Sequence, residues 1–98
     1  MYETTPTIYF KFATLLAEQI GLRDFFSGSV TLYDGDIECR LICTVVVNYD
    51  RYDPTLIASI SPVWWELRTT CGAEELDNDF SFSEMLHYIY YNPNPTTL

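Results

Sequence analysis

Residues 28–48 read GSVTLYDGDIECRLICTVVVN. Val30 and Leu32 take one face, Thr31 and Tyr33 the other, the period-two alternation of a half-buried strand. Asp34-Gly35 interrupts it. An Asp-Gly pair is a strong hairpin signal, because a type I′ turn needs positive φ at both central residues. A second strand is expected from Ile37 to about Asn48, β-branched and long, with Cys39, Leu41, Cys43, Val45 and Val47 on one face. A two-residue turn at Asp34-Gly35 pairs Val30 with Cys39 and Leu32 with Ile37. Both strands then share an apolar face, and the fold is built around an antiparallel hairpin.

Reading onward, NYDRYDPT (48–55) breaks the pattern with Asp, Asn and Pro. Asp50 and Asp53 there have the chemistry of turn caps. A third strand is expected from about Leu56 to Thr69. Pro62 cannot donate to a ladder, so this strand should be an edge or carry a bulge there. Charge offers a register: Arg40 opposite Glu66 and Glu38 opposite Arg68, each pair favourable by ~0.2–1 kcal/mol. That register sets Leu41 opposite Trp65, Cys43 opposite Val63 and Cys39 opposite Leu67. Trp65 is then expected in the core, and Trp64 on the outer face with Glu66 and Arg68. Ile42 lies opposite Trp64, and Val46 faces Ile60. The outer face is split, charged at one end and apolar at the other. Either one of the protein's own helices or another chain is expected to cover the apolar strip.

Reading backward, Thr5-Pro6 has the form of an N-cap followed by proline at the first helical position. Tyr9, Phe12, Ala13, Leu16 and Ile20 recur at helical spacing and Gly21 supplies a stop, which predicts a helix over Pro6–Ile20 with Lys11 and Glu18 on its wetter side. Past Arg68, CGAEELDND (71–79) reads as a polar loop. Ser81 and Glu84 fit a capping box, and Phe82, Met85, Leu86 and Ile89 predict a second helix from Phe82 to about Tyr90. Asn92-Pro93-Asn94-Pro95 should end it and leave a loose tail from about residue 92. The expected architecture is one α+β domain over 1–98: helix, three-stranded antiparallel meander, helix.

Composition limits the function. A net charge of −9 disfavours nucleic acid or an anionic membrane as partner and permits a basic protein. No apolar run approaches the ~18 residues of a membrane span, and MYETTPTIYFKF lacks the basic start and apolar stretch of a secretory signal. Cys39 and Cys43, four residues apart on one strand, lie about 13 Å apart at ~3.3 Å per residue, beyond the ~7 Å limit for a disulfide. All three cysteines, Cys71 included, read as thiols in a reducing cytoplasm. No Cys-x-x-Cys spacing implies zinc. Asp77-Asn78-Asp79 lacks the glycine and distant glutamate of a calcium loop. His87, the single histidine, has no nucleophile in a recognisable motif, and no glycine loop cradles phosphate. Neither a catalytic residue nor a cofactor is assigned.

Charge is unevenly spread. No Lys or Arg follows Arg68, while Glu74, Glu75, Asp77, Asp79 and Glu84 fall within eleven residues. A solvated loop beside a helix N-terminus accounts for this, and so does a docking surface for a basic patch. The combination of PVWWELRT (62–69) and LDNDFSFSE (76–84) resembles short uncharacterised proteins encoded by gut Bacteroidales and their mobile elements. The resemblance covers about the C-terminal half, and it implies no activity and carries over no site residues.

The expected function is a small, non-catalytic, cytoplasmic protein-interaction module, a homodimer through the outer sheet face. Its candidate contacts are Trp64, Ile42, Val46 and Ile60, with Glu74, Glu75, Asp77 and Asp79 as a second, acidic surface. Two alternatives stand beside it. One is an acidic inhibitor that mimics nucleic acid in a basic cleft. The other is a small-ligand binder or enzyme with a sheet–helix pocket.

Overall fold

A computed structural model describes residues 1–91. Helix α1 (Pro6–Ile20) leads into strands β1 (Phe25–Asp34), β2 (Ile37–Tyr49), β3 (Ile57–Cys71) and β4 (Glu74–Leu76), and helix α2 (Phe82–Tyr91) follows. The strands form one antiparallel sheet in the order β1-β2-β3-β4. The fold is therefore α+β with four strands rather than three. The expected loose tail lies outside the described residues.

Helix α1 has the predicted bounds. Its Thr5 side chain accepts from the Ile8 N–H at 3.3 Å, and Gly21 ends it at φ 59°. At α2, the Ser81 hydroxyl accepts from the Glu84 N–H at 3.3 Å, one half of a capping box. The other half is replaced: the Ser81 N–H donates to the Tyr9 hydroxyl at 3.0 Å, which ties α2 to α1.

Both hairpins beside β1 and β4 use the same device. Asp34 pairs with Ile37, so the central residues are Gly35-Asp36 and not Asp34-Gly35. Gly35 takes φ 61°, and among the described residues none other than glycine has positive φ. This is the type II′ pattern, which asks for positive φ only at its first central residue. A type I′ turn centred on Asp34 would have forced an aspartate into the left-handed region at a steric cost. Moving the turn by one residue moves the register by two. Val30 therefore pairs with Leu41 and Leu32 with Cys39, each still on its predicted face. Gly72, at φ 63° between Cys71 and Glu74, repeats the pattern and folds back β4 from the segment expected to be a loop.

The β2–β3 register also differs from the charge-based one. Arg40 faces Arg68, Leu41 faces Leu67, Cys43 faces Trp65 and Thr44 faces Trp64. The next pair is Val45–Pro62, so Val63 is an extra residue: a bulge at the proline. The bulge exchanges faces along β3. Ile60 comes opposite Val47 and is buried, while Ser61 turns outward opposite Val46. An unbroken ladder would have put serines inside and Ile60 outside. Burying one isoleucine is worth roughly 1.5–3 kcal/mol, more than exposed charge pairs worth ~0–1 kcal/mol. Packing therefore decides the register, and Arg68 finds its acid in β4 instead, at 3.4 Å from Glu75.

One apolar cluster joins the helices to the inner sheet face. Phe12, Leu16 and Ile20 of α1, Met85 of α2, and Cys39, Leu41, Cys43, Val45 and Val47 of β2 are all essentially inaccessible. The aromatic seam is built on Tyr9, whose ring stacks on Phe80 at 5.3 Å and on Tyr88 at 6.0 Å. Trp65 is not the core residue expected. It faces inward, stacked on Phe82 at 5.9 Å and edge-on to Phe80 at 5.7 Å, yet stays 38% exposed. Its place in the sheet explains this. β4 pairs only with Thr69, Thr70 and Cys71, so Trp65 lies where β3 is an open edge with no strand beside it.

Candidate functional site

Both helices bury their apolar stripes in the same cluster, so the opposite sheet face has no cover among the described residues. Cross-strand pairing lays out its rows. Phe25, Val46 and Ser61 form one; Ser27, Thr44 and Trp64 the next; then Ser29, Ile42 and Glu66; then Thr31, Arg40 and Arg68; and finally Tyr33, Glu38 and Thr70. The split expected from sequence is present: the first three rows carry the apolar residues and the last three the charge, the two overlapping in the row of Ile42 and Glu66.

At the apolar end, Ile42, Thr44 and Val46 succeed one another on β2. Trp64 stands opposite the middle one, within diagonal reach of the outer two. It is 51% exposed, and Val46 39%. The sequence reading missed Phe25, which is 52% exposed and pairs with Val46 from the β1 side. Its signal was present: Phe25-Phe26 continues the alternation of β1 outward past Gly28, where the strand was expected to begin. A Cβ on Gly28 would lie 3.1 Å from the Phe26 ring, so the glycine leaves room for that ring on the inner side. Ile60, assigned to this face from sequence, is buried on the other because of the bulge. Hydroxyls fill the space between the apolar groups, with Ser27 and Thr44 hydrogen-bonded at 2.9 Å.

At the charged end, the Tyr33 hydroxyl donates to Glu38 at 3.1 Å, and Glu75 meets Arg68. The face thus carries two of the chain's five basic residues, Arg40 and Arg68, against three of its fourteen acidic ones, Glu38, Glu66 and Glu75. Its balance is −1, and the remaining −8 of the net −9 lies elsewhere.

The acidic segment is divided by the structure. Glu74 and Glu75 belong to β4, while Asp77 and Asp79 flank Asn78, which bridges to Tyr2. The Tyr2 N–H donates to the Asp77 carbonyl at 2.7 Å, and the Thr4 N–H donates to the Asp79 carboxylate at 2.7 Å. The Thr4 amide holds the Asp79 carboxyl below its ordinary pKa. Asn78 donates to the Leu67 carbonyl at 2.9 Å, and Thr69 donates to the Leu76 carbonyl at 2.7 Å. Asp77 to Asp79 therefore act as a staple between the N-terminus and β3. Asp50 and Asp53 cap their own loop, accepting from the Tyr52 N–H at 2.8 Å and the Thr55 hydroxyl at 2.6 Å.

The remaining features are sparse. A shallow open groove of about 290 Å³ runs between Phe10, Lys11, Thr14 and Leu15 of α1 and Leu32 of β1. His87 is exposed on α2. Among the described residues, no three His, Cys, Asp or Glu side chains converge as metal ligands, and no helix is long and apolar enough to cross a membrane. Compared with family models, curated proteins and solved structures, the chain matches none.

Proposed function

We propose that this chain is a small, non-catalytic interaction module whose outer sheet face docks against a second copy of itself. The observation that carries this is the uncovered face. Phe25, Ile42, Val46 and Trp64 are gathered on a surface that both helices leave open. Apolar clusters exposed in this way mark association sites.

Charge favours a copy as the occupant. Two chains of −9 repel each other, and contact is least opposed where the local balance is near zero. The outer face, at −1 with both signs interleaved, meets that condition. Size is adequate too. The Cα envelope is 47 × 30 × 17 Å, thin as one helix layer on one sheet should be, and a standard contact takes roughly 800 Å² from each partner.

Sedimentation of wild type and of Trp64→Ser tests the proposal. Truncating a central tryptophan costs ~2 kcal/mol or more, about thirtyfold in affinity. Trp64→Ser should therefore lower the sedimenting mass while leaving far-UV circular dichroism unchanged. An equal mass for both proteins at high micromolar concentration would refute face-to-face association.

A further inference from the structure

The sheet has two edges, and they differ. One is guarded by short β4 with Glu74 and Glu75, and by Pro62 and the Val63 bulge where β3 runs on alone. Short strands, charges, prolines and bulges are the standard protections against pairing with another chain. The other edge is β1, which has ten residues and no bulge in its pairing with β2. From Phe25 to Tyr33 it has no charge and no proline.

Its free backbone groups can be assigned. The Val47 N–H donates to the Asp24 carbonyl at 2.8 Å, so Asp24 and Val47 form a hydrogen-bonded pair. In an antiparallel ladder such pairs alternate. Phe26, Gly28, Val30 and Leu32 therefore direct their N–H and C=O groups into β2. Phe25, Ser27, Ser29, Thr31 and Tyr33 direct theirs to the open edge.

We infer that β1 pairs antiparallel with β1 of a second copy, around a two-fold axis at Ser29, joining two sheets into one of eight strands. Centring on Ser29 lets all five edge residues pair, Phe25 with Tyr33, Ser27 with Thr31 and Ser29 with its own copy, making about ten backbone hydrogen bonds. Several independent features agree with this register. Phe25 and Tyr33 are 52% and 65% exposed and symmetric about Ser29, so the pairing brings them together as favourable cross-strand aromatics. The hydroxyls of Ser27, Ser29 and Thr31 meet one another. On the inner face Gly28 meets Val30, and Leu32 meets Phe26 of the second copy. Leu32 also lines the α1–β1 groove. A two-fold axis perpendicular to the sheet keeps both α1 helices on one side, so this apolar groove, which flanks the open edge, lies along the join. No charge is buried, as two chains of −9 require.

This contact uses backbone groups in the sheet plane, whereas the outer-face contact uses side chains perpendicular to it. Each therefore stands or falls without the other. The test uses the full chain with Ser29→Lys, Ser29→Glu and their equimolar mixture. Ser29 is exposed and its N–H points away from β2, so the monomer fold, read by circular dichroism, should persist. Ser29→Lys lowers the overall repulsion yet opposes like charges at the axis. Each variant alone should sediment at half the wild-type mass, and the mixture, with lysine opposite glutamate, should recover it. In wild type, amide exchange at Ser27, Ser29 and Thr31 should slow as concentration rises. Trp64→Ser should leave that slowing intact. Concentration-independent exchange at these three amides, or a mixture that fails to reassociate while both variants stay folded, would overturn the edge pairing.

Discussion

Trp64 and Trp65 are neighbours with opposite surroundings, and alternation alone told them apart. Trp64 belongs to the solvent face and Trp65 to the helix face, as read from the sequence. Sequence did not indicate how deep Trp65 would lie, because depth depends on where β4 stops flanking β3 rather than on strand period. Cysteine burial was legible, since five inner residues of β2 alternate without a break. Cys39 and Cys43 are buried and Cys71 is exposed, all three unpaired. Burial pushes the Cys43 thiol from 9.0 up to about 11. Cys39 is raised as well, first by burial. The Tyr2 hydroxyl is raised by burial and by its 2.8 Å hydrogen bond to Asp34. Each group stays protonated in the fold beyond the pH at which the unfolded chain ionises. The unfolded state then binds fewer protons, so stability is complete below the unfolded pKa and is lost as pH rises through the folded one. Urea unfolding should show stability falling between pH 9 and about 11. Cys43→Val, which keeps the volume and removes the proton, should flatten that fall. An equal slope in both proteins would contradict the assignment.

Among the elements, both helices and the three long strands were legible because each has ten or more residues, with a helical or alternating period over most of them. β4 was not, because three residues rich in glutamate carry no period at all. Its signal lay in the turn: Cys71-Gly72-Ala73-Glu74 repeats the glycine placement of Asp34-Gly35-Asp36-Ile37. The candidate face was legible in part. Trp64, Ile42 and Val46 are on it, since both registers share parity along β2. Ile60 is not, because one bulge residue reverses the faces of β3 beyond it. Pro62 marked the place of that bulge without revealing its consequence. Gly72 gives the element scale its prediction. At φ 63° a side chain is strained although nothing crowds the site. Gly72→Ala should cost about 1 kcal/mol and loosen β4 before the rest. Amide exchange should quicken at Glu74 and Leu76, whose N–H groups point into β3, and stay unchanged along β2. Uniform loosening, or none, would show that the turn does not control β4.

For the whole molecule, the deciding quantity is the balance between a strong net charge and a nearly neutral face. Two opposite salt responses follow. If the acidic residues outside the outer face were the docking surface, the partner would be basic and attraction would drive association. Salt would then weaken it, as the Debye length falls from ~30 Å at 0.01 M to ~8 Å at 0.15 M. Self-association through the outer face or the β1 edge has the reverse sign. Each copy carries −9, of which −8 lies off the outer face, and this charge repels its counterpart across the complex. The contacts themselves are apolar residues, hydroxyls and backbone groups, which moderate salt hardly touches. Screening therefore removes a cost and leaves the attraction. Sedimentation at about 0.02 M and 0.3 M salt should show tighter association at the higher value. The melting temperature should also rise with protein concentration, because assembly stabilises the folded state by mass action. Association that weakens with salt would move the docking site to the acidic residues of Glu74 to Asp79 and away from Trp64.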